Sequence, residues 1–412
     1  MTTIRDLLPV LCLALACVPF DADDTDDTDD TDDTGDDSTG TAPGEPLAGP
    51  PALDVPCSGE VAAPTRLAIT TTDNVTGALS ILDLKTGAIT PDLALATSDS
   101  VPVHDGDRLY LLHRYGFDAL DVLRPDFTLL AQLGLGVPGV VSSNPHALAF
   151  ADQRAYVTLF GAPTLQILDL ADPAAPTLAG SIDLRPLADP DGNPEANLAM
   201  RCGDTLFITV QRLDENMGFA PTGEHDHLAP IDLASGRLHD LDQDTPGVQA
   251  MPLLGPWAKQ WRLDPADPAG HTLLVLSSGL ERVDLATLQT TWAVDPARLA
   301  AIGLVATDLT QAFDLDRTGE HAYIASYRAD FSEVVLLRAS LDDDAPIVEI
   351  ADGMQSIGPT LEIVDDTLWF GDRSHAAAGM RAWDLTSDPP TPRFDGRPLS
   401  TGLAPYAAVA IP

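Results

Sequence analysis

The stretch "DPDGNPEAN" sets Asp189, Asp191, Asn193, Glu195 and Asn197 at alternate positions of one segment. Hard oxygen donors gathered this way suit Ca²⁺, which takes carboxylates and carbonyls. Gly192 is displaced from the place an EF-hand loop requires, so an ordinary Asp-Gly-Asn turn competes with the calcium reading. "EHDH" puts His225 and His227 two apart, on one side of an extended segment. That spacing could begin a zinc site, but no third ligand is evident and a solvated loop is expected. The chain has no G-x-S-x-G elbow, no H-E-x-x-H helix and no C-x-x-C-H haem site. No residue is therefore assigned to catalysis, and Ca²⁺ is the one cofactor the sequence suggests.

The elements that must position such residues repeat along the chain. A short apolar strand ending in Asp and an apolar residue recurs as "SILDL" to Leu84, "ALDV" to Val122, "QILDL" to Leu170, "PIDL" to Leu233, "RVDL" to Leu285 and "AWDL" to Leu385. "VLLRASL" around Arg338 is a degenerate seventh copy. The spacing averages about fifty residues, the period of a stacked or radial repeat. Most copies run into turn chemistry such as "LKTGAI" or "LASGRL", so each Asp is expected to cap its turn by accepting backbone N–H bonds.

Ahead of each copy stands an alternating strand, a polar turn and a second alternating strand. Examples are "VHDGDRLYLL", "MRCGDTLFITV" and "FDLDRTGEHAYIA", with the Asp-Gly, Gly-Asp and Thr-Gly signals of hairpins. Six hairpins serve seven "DL" strands. Pairing "LAPYAAVAIP" at 403–412 with "TRLAITT" at 65–71 supplies the missing one and closes a ring. The fold predicted for residues 60–412 is all-β: a seven-bladed β-propeller closed by its N- and C-terminal strands. Only "DPARLAAIGLVA" reads as a short helix.

Residues 1–16 read as a signal peptide, with Arg5 ahead of the apolar run "LLPVLCLALA", which is too short to span a bilayer. Residues 17–59 read as a disordered tether. It carries "DDT" four times in succession, and eleven aspartates fall within 21–37. The repeated charges repel one another, and no apolar residue recurs to bury. The formal net charge is -41, and Lys85 and Lys259 are the only lysines. Such a surface repels phosphate backbones and anionic headgroups, so nucleic acid is excluded as a partner and membrane attachment needs something other than basic residues.

Three resemblances follow from these residues. "LALAC" resembles a bacterial lipobox, which implies lipid on Cys17 and an outer-membrane lipoprotein facing the periplasm or the cell surface; a secretory signal cut after Ala16 is the alternative. "AYVTLFGAPTLQILDLADPAAPTLAGSIDL" (155–184) resembles an LVIVD repeat. "GLAPYAAVAI" and "GEHAYIAS" resemble pieces of YVTN-type repeats of bacterial extracytoplasmic propellers. The family resemblance implies surface display and binding with no assigned chemistry. With Cys12 leaving in the signal peptide and Cys17 lipidated, Cys57 and Cys202 remain as an even pair in an oxidising compartment, and a disulfide is expected. The leading expectation is a monomeric binding module for an envelope or extracellular protein or a small ligand. A metal-dependent hydrolase or lactonase on the same scaffold is the alternative, and a structural envelope component the third reading.

Overall fold

The computed structural model describes residues 45–57, 63–223, 225–304, 312–342 and 345–412. The signal peptide, Cys17 and the acidic repeat lie outside the described residues. Seven antiparallel sheets of four principal strands follow one another along the chain. Blade 1 joins Ala404–Ile411 to Arg66–Thr72, Gly77–Asp83 and Ile89–Ala96. Its register runs from Arg66 opposite Ile411 to Thr72 opposite Ala404, so the chain's last strand is the innermost strand of the first blade, as predicted.

Each blade's second strand is buried on both faces because a neighbouring sheet covers each side. Arg66–Thr72 is buried at every position after Arg66, and Thr205–Val210 throughout. The outermost strands face solvent, and Ile89–Ala96 is mostly exposed. The buried apolar residues fall into clusters between consecutive blades. Leu79, Ile81, Leu109 and Leu111 fill the gap between blades 1 and 2, while Leu67, Ile69, Trp369 and Met380 fill that between blades 7 and 1. The last gap is packed like the others, so the ring is closed by a core as well as by backbone pairing.

Glycine is required where one blade hands the chain to the next. A Cβ at Gly77 would lie 2.1 Å from the Thr97 carbonyl oxygen, and one at Gly161 2.2 Å from that of Ser142. Both carbonyls belong to crossing loops, and no larger residue fits beneath them. Pro296–Ala301 forms the expected short helix, capped by Asp295 accepting from the Ala297 N–H.

The turn-capping aspartates behave as expected in most blades. Asp83 accepts from Thr86 N–H at 2.7 Å, Asp232 from Ser235 N–H at 2.8 Å and Asp384 from Thr386 N–H at 2.9 Å. Asp121 departs from this rule. Its strand, Ala119–Leu123, runs two residues past it, so its carboxylate points inward, bonding Gln132 Nε2 at 2.7 Å and standing 3.0 Å from His113 Nε2. Asp126 caps that turn instead.

Residues 45–57, expected as the end of the disordered tether 17–59, are instead fastened to blades 4 and 5 by backbone pairing and the disulfide. Leu47–Ala48 adds a parallel strand to the outer strand Arg237–Asp240 of blade 4. Val55 C=O lies 3.0 Å from His271 Nε2, and Cys57 N–H donates to Gly270 C=O at 3.1 Å. Cys57 is disulfide-bonded to Cys202, the expected bridge. Gly203 and Gly270 belong to turns between first and second strands. Residues 55–57 therefore lie on the face formed by those turns, here called the turn face.

Candidate functional site

The opposite face carries the crossing loops and the loops joining second to third strands. Innermost strands begin there and second strands end there, so side chains from distant positions meet at one level around the axis. Asp99 immediately precedes Ser100–Asp105, His146 and Asn197 are second in Pro145–Ala151 and Ala196–Cys202, and Tyr406 is third in its strand. Arg114 and Arg373 immediately follow the second strands Arg108–His113 and Thr367–Asp372.

Arg114 Nε and Nη2 donate to Asp99 Oδ1 at 2.9 and 2.6 Å, and Tyr406 OH donates to the same oxygen at 2.6 Å. Burial would raise the Asp99 carboxyl, but the Arg114 charge and these hydrogen bonds outweigh it and hold the group below its usual range. Burial and the Asp99 charge push Tyr406 up to about 12, so its hydroxyl stays protonated and donating. Arg373 lies 5.5 Å from the Tyr406 ring centroid and donates to Asn74 Oδ1 at 2.9 Å. Among the described residues no carboxylate pairs with Arg373.

His146 completes the mouth. Its ring stacks on Phe160 at 4.5 Å, and its Nδ1 lies 2.8 Å from Asn197 Oδ1. The Asn197 amide nitrogen donates to the Ala258 carbonyl, which turns Oδ1 toward the imidazole. Nδ1 therefore carries the proton and Nε2 keeps a lone pair. Burial, reinforced by the Arg114 charge, drives the imidazole down to about 3, so it is neutral at physiological pH.

Beneath this layer, Ser100 Oγ stands 2.7 Å from His113 Nδ1 and His113 Nε2 3.0 Å from Asp121 Oδ2. The order resembles a Ser-His-Asp relay, but Ser100 is 0% exposed and His113 3%. No substrate carbonyl reaches that hydroxyl. The chain instead ties the strands whose next residues are Asp99 and Arg114, and Arg114 N–H donates to Asp99 C=O at 2.9 Å. It positions the pair above it.

Deeper in the ring, Arg262 bridges Asp314 and Glu362, at 3.0 Å to each. Burial is the main cause that pushes Glu362 up to about 7; Arg262 opposes the rise and Asp314 adds to it.

The two faces differ in surface chemistry. Tyr115, Phe117, Val141, Met217, Phe219 and Phe331 are exposed on loops around the arginine mouth. On the turn face Val55, ahead of the ring, is exposed, and Leu129, Leu178 and Val348 are exposed near the starts of outer strands.

Of the residues singled out from sequence, Asp189, Asp191, Asn193 and Glu195 share the loop between blades 3 and 4, while Asn197 belongs to the mouth. His225 is exposed in a loop, with Nδ1 3.2 Å from the Leu254 carbonyl, and His227 is the first residue of an interior strand. Among the described residues no three His, Cys, Asp or Glu side chains form a metal-holding group, so "EHDH" gains no third ligand of that kind. Asp99, Arg114, His146, Arg373 and Tyr406 were not singled out from the sequence.

No protein-family model matches the chain, and no curated protein matches it in sequence. Solved structures match its fold. A candidate 6-phosphogluconolactonase from Bacteroides fragilis is 11% identical with a TM-score of 0.56, covering 86% of this chain and 100% of that one. The periplasmic gluconolactonase of Pseudomonas aeruginosa is 14% identical with a TM-score of 0.53, covering 84% of this chain and 99% of that one. A quinoprotein alcohol dehydrogenase-like protein from Bacteroides thetaiotaomicron is 10% identical with a TM-score of 0.52, over 84% of this chain and 78% of that one. Proteins of such different description share the architecture, so the likeness is one of fold: this chain is a seven-bladed β-propeller.

Proposed function

We propose that the protein is a binding module whose axial mouth takes a small polyhydroxy anion of the sugar-acid class. The observation that carries this reading is Arg373, a guanidinium without a carboxylate partner among the described residues, in a chain of net charge -41. Such a group suits a ligand carboxylate or phosphate. Asp99 and the His146 Nε2 lone pair offer acceptors to hydroxyl groups. The exposed aromatic rim supports ligand capture on this face.

Lactone hydrolysis is the second reading, favoured by the architecture shared with the two lactonase-described structures. It is opposed by His146, which at about 3 is a weak general base at neutral pH, and by the sealed Ser100 hydroxyl. The test is a thermal-shift series with D-gluconate, 6-phosphogluconate and neutral glucose, run beside a glucono-δ-lactone hydrolysis assay. Stabilisation by the acids but not by glucose, with hydrolysis at the spontaneous rate, supports the module. Turnover above the spontaneous rate that is lost in His146→Ala would replace it with the enzyme. Display at the envelope through Cys17 rests on the lipobox resemblance, and failure of the chain to incorporate a fatty-acid label would remove it.

A further inference from the structure

The loop between blades 3 and 4 contains an arrangement the axial mouth does not use. Asp189 Oδ1 accepts the Asp191 N–H at 3.1 Å, and Glu195 Oε2 accepts the Leu213 N–H at 2.7 Å. Asn193 spends its amide nitrogen on the Phe160 carbonyl at 2.8 Å. Each side chain is left with one oxygen, Asp189 Oδ2, Glu195 Oε1 and Asn193 Oδ1, buried and without a hydrogen-bond partner. The three residues are 7%, 0% and 8% exposed. Acceptor oxygens sealed from water in this way are costly unless something positive meets them.

All three orphans are side-chain oxygens, and they come from positions 189, 193 and 195 of one short loop. Asp189 and Asp191 lie close enough to Glu195 for their charges to act on it. The loop is braced from outside, since Asp191 accepts from Asn193 N–H at 2.9 Å and from Glu215 N–H at 2.9 Å. That bracing pins like charges together where repulsion would part them.

We propose that residues 189–195 hold a hard divalent cation of the calcium class, with Asp189, Asn193 and Glu195 each giving the oxygen that has no protein partner. Two carboxylates and one amide oxygen are a mixed set, distinct from three converging carboxylates. Loop carbonyls and water complete the six to eight oxygens such an ion takes. The same segment leads into Asn197, which holds His146, so the ion would brace the wall of the mouth.

Isothermal titration of the full chain with CaCl₂ tests this, with the EDTA-treated chain as the starting state. The acidic repeat at 21–37 gives weak background heat in every variant, so the readout is one stoichiometric site above it. At a free calcium a hundredfold over Kd, the folding equilibrium shifts about 100-fold. For about 350 residues that is a Tm rise of roughly 3–4 °C. Glu195→Gln and Asp189→Asn should each fold and lose both the site and the Tm rise. Glu195→Gln without calcium should melt close to the EDTA-treated parent, because the amide oxygen can still accept the Leu213 N–H. Absence of a stoichiometric site in the parent chain, or its persistence in both variants, would overturn the proposal.

Discussion

Reduction of the Cys57–Cys202 bridge is the perturbation whose size the structure sets most directly. The two cysteines are 145 residues apart in sequence. On the chain-entropy model, closing a loop of that length restricts the unfolded chain by about 5 kcal/mol. Both cysteines are buried in the cluster that includes Met200, Phe207 and Leu228. With that packing taken as unchanged by reduction, the lost term is mainly the unfolded-state restriction. Unfolding entropy of about 2.1 cal/mol/K per residue over about 350 residues gives about 0.7 kcal/mol/K, so Tm should fall by about 7 °C. Calorimetry with and without reductant measures it, and thiol counting on the denatured chain reports the bond. Two free thiols at 57 and 202 in unreduced protein would refute the bridge. An unchanged Tm after verified reduction would refute the entropic argument and leave the bond standing.

Two further outcomes follow from the ring. Deleting residues 404–412 removes the strand paired with Arg66–Thr72 and exposes unpaired edges in blade 1, so the truncated chain should melt lower and aggregate; a monomer with the parent Tm would break the closure argument. Glu362 has a folded pKa of about 7 against an ordinary value of 4.5, so it binds its proton more tightly when folded. Its contribution to stability is therefore full below about pH 4.5 and declines as the pH rises to about 7. Glu362→Gln should flatten that decline in Tm, and parallel pH profiles for the two chains would contradict the assignment.

The fold was legible because each blade repeats local signals. Hairpin dipeptides, alternating strands and the recurrent "DL" ends mark every sheet, and the unmatched strands at 65–71 and 403–412 indicate closure. The Cys57–Cys202 pair was legible by elimination and compartment. Asp121 was misjudged because the phrase "ALDV" looks like its siblings, while the strand's extra residues turn the carboxylate toward His113. The mouth was not legible for a different reason. Asp99 and Tyr406 are 307 residues apart, and Arg114 and Tyr406 292. Their meeting depends on which end of each strand faces the same side, and no local spacing encodes that. The available signal was positional: polar residues at the starts of innermost strands and arginines just after second strands. The loop at 189–195 was legible in composition, but which oxygens lack partners depends on the backbone groups that claim the others.

The central claim is that Arg373 and its neighbours form an anion site, and titration calorimetry with D-gluconate on the parent chain and on Arg373→Ala tests it most directly. A charge-assisted contact contributes about 1.5–3 kcal/mol, so removing the guanidinium should weaken binding roughly 10- to 150-fold while leaving Tm in the absence of ligand close to that of the parent. Equal affinity in the two chains, or no binding heat from the parent at millimolar gluconate, would contradict the account.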